Sequence, residues 1–101
     1  MSAADKLGGY ASGFGDLDAE AIAANVTADY KLLDKDGAVY GKNDLPSYIA
    51  ELRKVGDKME ITDVAVEGGT AWCKWRVGEI VGAGMISFGE EGVTQEQLFY
   101  I

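Results

Sequence analysis

Two periods divide the chain. Before residue 56 apolar positions recur every three to four residues; after it they alternate. Leu7, Tyr10, Ala11 and Phe14 fall at i, i+3, i+4 and i+7, the stripe of an amphipathic helix. Gly15 ends that helix, and Asp16 or Asp18 can cap a second in "DAEAIAANV", with Ile22 and Val26 on one face. "DYKLLD" reads as a strand ending in a turn at Asp34–Gly37, and "AVYG" as a short edge strand. Asn43 can cap a third helix whose buried stripe is Leu45, Ile49 and Leu52. Pro46 is tolerated in its first turn, and Gly56 stops it.

From Lys58 onward the alternation predicts four strands, separated by Gly68-Gly69, Gly78-Glu79 and Glu90-Glu91-Gly92. One face should carry Val64, Val66, Ala71, Cys73, Trp75 and Val77, and the other Trp72, Lys74 and Arg76. Gly82 and Gly84 within one strand suggest a bulge that lets a sheet curl round a cavity. Helices first and an antiparallel meander afterwards make an α+β fold, with the helices on one face of the sheet. At 101 residues, with no linker or repeat, residues 1–101 are expected to form one domain.

Charge narrows the partners. A net charge of −8, with nine scattered Lys and Arg, argues against nucleic acid and against an anionic membrane, which both need clustered cations. No apolar run approaches the roughly 20 residues of a membrane helix, and "MSAADKLGGYASGF" has no signal-peptide pattern. A single cysteine, Cys73, excludes an internal disulfide and points to a reducing, cytoplasmic setting. With no histidine and one cysteine, no transition-metal site and no metal cofactor are expected. "GGTAW" and "VGAGM" lack the spacing of phosphate-binding loops, so nucleotide cofactors are not expected either.

Three stretches carry a resemblance: "DLDAEAIAANVTADYKLLDKDGAVYGKNDLPSYI", "VAVEGGTAWCKW" and "ISFGEEGVTQEQLFYI". Together they resemble the nuclear transport factor two-like superfamily, which includes ketosteroid isomerases and SnoaL-like polyketide cyclases. The resemblance implies a cystatin-like cone, a curved antiparallel sheet wrapped around N-terminal helices, often paired as a homodimer through the sheet face. In the isomerases a Tyr on the first helix and a protonated acid bind the substrate carbonyl, while an Asp ending the first strand moves the proton. Laid on that pattern, Asp34 takes the general-base position and Tyr10 the oxyanion-donor position. The second acid falls on Gly84, a departure that puts steroid isomerisation in doubt.

Each residue also has a plainer role. Asp34 and Asp36 with Gly37 specify a tight turn whatever else they do. They do not open a calcium loop, because its sixth position must be Gly and its twelfth Glu, whereas the twelfth residue from Asp34 is Leu45. Tyr10 fits a core stripe as well as a site. Trp75, Phe88 and Tyr100 are read either as ligand-binding walls or as core and interface, and Lys74 with Arg76 as a carboxylate grip or a solvated face. Glu96 should share a face with Leu98 and Tyr100; if that face points inward, Glu96 is a second pocket acid. Cys73 reads as a small buried hydrophobe with no base to activate it. Two functions stay open: a cofactor-free isomerase, cyclase or hydratase acting on a small apolar carbonyl compound, and a non-catalytic binding or dimerisation module.

Overall fold

The computed structural model describes residues 2–100. Helix α1 spans Ala3–Gly15 despite its glycines. Its start is fixed by a reciprocal cap, in which Ser2 Oγ accepts from the Asp5 amide and the Asp5 carboxylate accepts from the Ser2 amide, each at 3.2 Å. Tyr10 and Phe14 on the predicted stripe are buried, and Leu7 packs against them. Helix α2, Ala19–Ala23, is capped by the Asp18 carboxylate on the amides of Glu20 and Ala21.

Val26 does not continue that helix, as its spacing suggested. It opens strand β1, Val26–Leu33, where β-branched Val26 and Thr27 prefer extended backbone. The adjoining Asn25 carbonyl accepts from the Val93 amide at 2.8 Å, which secures the start of the strand. Strand β2, Val39–Gly41, pairs antiparallel with β1. Asn43 is not the cap of the third helix. A 3-10 turn, Lys42–Asp44, intervenes, with the Asp44 carboxylate accepting from the Gly41 amide at 2.8 Å. Helix α3 then runs Leu45–Arg53 with Pro46 in its first turn, ending three residues before Gly56.

The meander follows the turn signals: β3 Glu60–Glu67, β4 Thr70–Val77, β5 Ile80–Gly89 and β6 Gly92–Tyr100. Six strands form one curved, open sheet in the order β2-β1-β6-β5-β4-β3. Only β1 and β6 are parallel; they join the β1–β2 hairpin to the meander. Ala71, Cys73, Trp75 and Val77 are buried beneath the helices, with Trp72, Lys74 and Arg76 on the exposed face. Val64 and Val66 depart from the expected pattern, at 58% and 55% exposed. They lie on the edge strand, where the register shifts between Thr62 and Ala65 around Asp63 at φ 53°.

Gly82 and Gly84 mark no bulge. The β4–β5 pairing runs unbroken from Thr70–Ser87 to Val77–Ile80, and the other irregularities lie in β1–β6 and at Ser87–Phe88 in β5–β6. These two glycines instead make room for side chains from neighbouring strands. A Cβ at Gly82 would collide with the Trp75 ring, and one at Gly84 with Glu96 Oε2.

Candidate ligand site

The cone leaves a cavity of about 50 Å³ between α1, α3 and the meander. Its walls are mostly apolar, with Phe14, Ile86 and Leu98 among them, and one acid, Glu96, stands in this lining. Strand alternation accounts for that placement. Past the β5–β6 register break that follows Val93, Glu96 and Leu98 both face inward. An ionised carboxylate there is costly unless it is partnered or takes up a proton.

Glu96 is 5% exposed, and one of its oxygens is held. The Tyr10 hydroxyl donates to Oε1 at 2.5 Å. The Tyr30 hydroxyl lies 2.6 Å from that of Tyr10, and because Tyr10 uses its proton on Glu96, Tyr30 is the donor in this pair. Edge-on packing of the Tyr10 ring against Phe14 and Tyr30, with centroids 5.0 and 5.9 Å apart, holds the chain of hydroxyls in place. Oε2 has no protein hydrogen-bond partner among the described residues and rests over Gly84.

Burial pushes the Glu96 carboxyl up to about 7, although the Tyr10 bond favours its ionised form. Burial, then the Glu96 charge, pushes the Tyr10 and Tyr30 phenols well above their usual range. The same two causes raise the Cys73 thiol to about 11, so it stays protonated near neutrality and is no nucleophile.

Trp75 is a further polar group on the wall, in addition to the tyrosines Tyr10 and Tyr48. Only 4% exposed, it lies over Gly82, and its indole Nε1 has no hydrogen-bond partner among the described residues. Leaving such a donor unpaired costs on the order of 1–3 kcal/mol.

The structure thus gathers Tyr10, Trp75 and Glu96 and leaves the other expected site residues outside the lining. Asp34 sits at the β1–β2 turn, where its Oδ1 accepts from the Lys35 amide at 2.7 Å and its backbone closes the turn with Ala38. Asp36 does the same for the Ala38 amide at 2.9 Å. No residue of β1 is among the walls, and the Asp34 carboxylate at its end serves the turn. Phe88 is half-buried against the core at a register break, away from the cavity. Tyr100 backs the Trp75 ring edge-on at 5.7 Å, with the Lys35 ammonium 4.5 Å over its face, and is 36% exposed. Burial and then the neighbouring Asp34 raise its phenol to about 12.

Sequence pattern alone does not single out Tyr30, which bonds Tyr10, or Tyr48, which lines the cavity from α3. A signal for Tyr30 was nonetheless present: strand alternation puts it on the face of Leu32, and both are fully buried. Gly84, which the isomerase pattern equates with its second acid, does lie at the site. There the carboxyl arrives from β6 and stands over the glycine.

A curved six-stranded sheet holding helices over a cavity defines the cystatin-like, nuclear transport factor two-like and ketosteroid isomerase-like class of fold. An uncharacterized cystatin-fold protein from Novosphingobium aromaticivorans superposes at TM-score 0.77 with 16% identity, covering 98% of each chain. A protein of ketosteroid isomerase-like fold from Catenulispora acidiphila, solved in complex with trimethylamine, gives 0.74 and 15%, covering 95% of this chain and 85% of that one. A de novo designed protein with a curved β-sheet gives 0.81 and 16%, over 100% and 88%. No family model and no curated protein matches the sequence. At these identities the likeness establishes the fold alone.

Proposed function

We propose that the cavity binds a small, largely apolar molecule bearing a carbonyl group, and that Glu96 moves a proton on it. The observation that carries this reading is a buried carboxyl near pKa 7 with one oxygen tied to Tyr10 and the other unpartnered. A group of that kind is ionised and protonated in comparable amounts at neutral pH, which suits a general base that must also return its proton. Oε2 would take a proton from the carbon beside the carbonyl. The C–H electron pair becomes the new C=C bond, and the carbonyl π pair moves to oxygen. In a substrate with an adjoining C=C, the oxygen pair re-forms the C=O and the new C=C moves into conjugation with it. The displaced π pair takes the proton from Glu96 at the far carbon, which gives an isomer and restores the carboxylate. Tyr30 and Tyr10 keep the other oxygen in place throughout.

The test is deuterium uptake beside the carbonyl of butan-2-one in D2O, followed by NMR. Catalysis above buffer should fall by roughly a hundredfold or more in Glu96→Gln. Equal rates in the two proteins would remove Glu96 from the chemistry.

A second reading, a binding module without chemistry, has its own support. The cavity is about a third of the ~150 Å³ that admits benzene. Trp72 and Phe99, 42% and 48% exposed, offer apolar surface through which a second copy could dock on the sheet.

A further inference from the structure

We infer that the ligand is held by an oxygen that accepts a hydrogen bond from the Trp75 indole N–H, with only its oxygen-bearing group enclosed by the protein. The inference rests on the cavity being a small-molecule site and adds the donor that anchors the ligand and how much of it is enclosed.

Three observations meet at this point. Trp75 Nε1 is a buried donor that no atom of the described residues satisfies. An indole nitrogen donates only, so its missing partner must be an acceptor; neither a hydrocarbon nor an ammonium ion meets that need. Gly82 and Gly84, two residues apart on the same face of β5, receive the Trp75 ring and the Glu96 carboxyl respectively. The donor from β4 and the carboxylate from β6 therefore both lean over β5, at alternate positions that two glycines leave open, and both line the cavity. An oxygen between them can accept from Trp75 and also from Glu96 when that carboxyl is protonated.

Size gives the rest. About 50 Å³ encloses a functional group rather than a ring. Val64, among the lining residues and 58% exposed, shows that the cavity reaches solvent beside edge strand β3. The remainder of a ligand extends through that opening, past Leu52, Met59 and Ile61. A steroid or other fused-ring system cannot be enclosed without displacing the walls, whereas a ketone, aldehyde or lactone oxygen on an apolar chain fits.

The experiment uses two isosteric probes, butan-2-one and 2-methylbut-1-ene, which differ by oxygen against CH2. Trp72 also borders the cavity, so both tryptophans are kept and their two indole signals in 1H–15N spectra are assigned by backbone correlation. Methyl signals of Ile86 and Leu98 report entry into the cavity, and the indole signal reports the hydrogen bond. The expected result is that butan-2-one shifts the methyls and moves the Trp75 indole proton downfield, while the alkene shifts the methyls alone. Trp75→Phe should then weaken butan-2-one by about three- to tenfold and leave the alkene within about twofold, as for one neutral hydrogen bond. Because the indole spectrum is read with Trp75 in place, the hydrogen bond is tested even if Trp75→Phe folds poorly. If both probes shift the methyls equally and the indole stays still, the anchor is wrong and the cavity reading stands. Trimethylammonium shifting the methyls more strongly than the ketone, with an unmoved indole, would mean a cation held by Glu96 and would overturn the inference. If neither neutral probe perturbs the methyls, the cavity reading falls and the inference with it.

Discussion

Two acids, Asp34 at the β1–β2 turn and Glu96 on β6, show how differently one fold treats a carboxylate. Asp34 stands where chain and solvent meet, and its acceptors are used by the backbone of its own turn. Glu96 stands in an apolar wall, with one oxygen met by Tyr10 and the other unmet. The first is held by its own turn with Tyr100 beside it, and the second depends on residues 66 and 86 positions away. Carboxylates become chemically interesting where their surroundings leave a need unfilled, and here that is the interior acid.

The largest effect that separates the two concerns pH. Because the folded Glu96 is raised to about 7 from an ordinary 4.5, the native state keeps a proton that the unfolded chain has lost. Its favourable contribution is complete below about pH 4.5 and disappears as pH rises through 7, a change on the order of 3 kcal/mol. Urea unfolding at pH 5, 6, 7 and 8 should show wild-type stability falling relative to Glu96→Gln by about that amount. Parallel curves for the two proteins would mean that Glu96 is ionised throughout and that the interior acid is no different from the turn acid.

Gly84→Ala comes next. The added Cβ drives Oε2 from its place, and the flexible end of Glu96 must yield. Loss of the Tyr10 bond should cost about 1–3 kcal/mol in urea unfolding. A carboxyl moved toward water should also titrate closer to the ordinary Glu range, as read by 13C NMR of the side chain. Unchanged stability with an unchanged titration would show that Gly84 does not set the position of the acid.

Asp34→Asn should have the smallest effect, within about 0.5 kcal/mol, because an amide oxygen can still accept from the Lys35 amide. It should leave deuterium uptake by butan-2-one at the wild-type rate. A loss comparable to that of Glu96→Gln would reinstate the turn acid and invert the comparison.

Much of this arrangement could be read in the sequence, where period and turn chemistry act locally. All three meander turns fall where glycine announced them, and the stripe on α1 is buried as its spacing required. Local signals were ambiguous at Val26, where Ala-rich helix propensity ran into a β-branched pair that the sheet claimed. They were also incomplete at Val64, because alternation names a face without saying whether anything covers it. The site was harder. Tyr10 on its stripe and Glu96 on the Leu98 face were visible as candidates. Their meeting depends on the tilt of α1 across β6 and on the space left by Gly84, and neither is encoded by any nearby residue. The similar fold of a designed protein makes the same point, since a curved sheet can be specified without any chemistry inside it.

The three-residue chain of Tyr30, Tyr10 and Glu96 has a consequence in time as well as in space. It draws on the first helix, the first strand and the last strand, so no fragment of the fold contains it. Such long-range closures are entropically the last to be rewarded during folding. As the chain leaves the ribosome, residues 10 and 30 emerge long before their acid, and until β6 docks the apolar cradle holds two phenols and no carboxylate. The proton transfer proposed for Glu96 therefore requires a molecule that has finished folding.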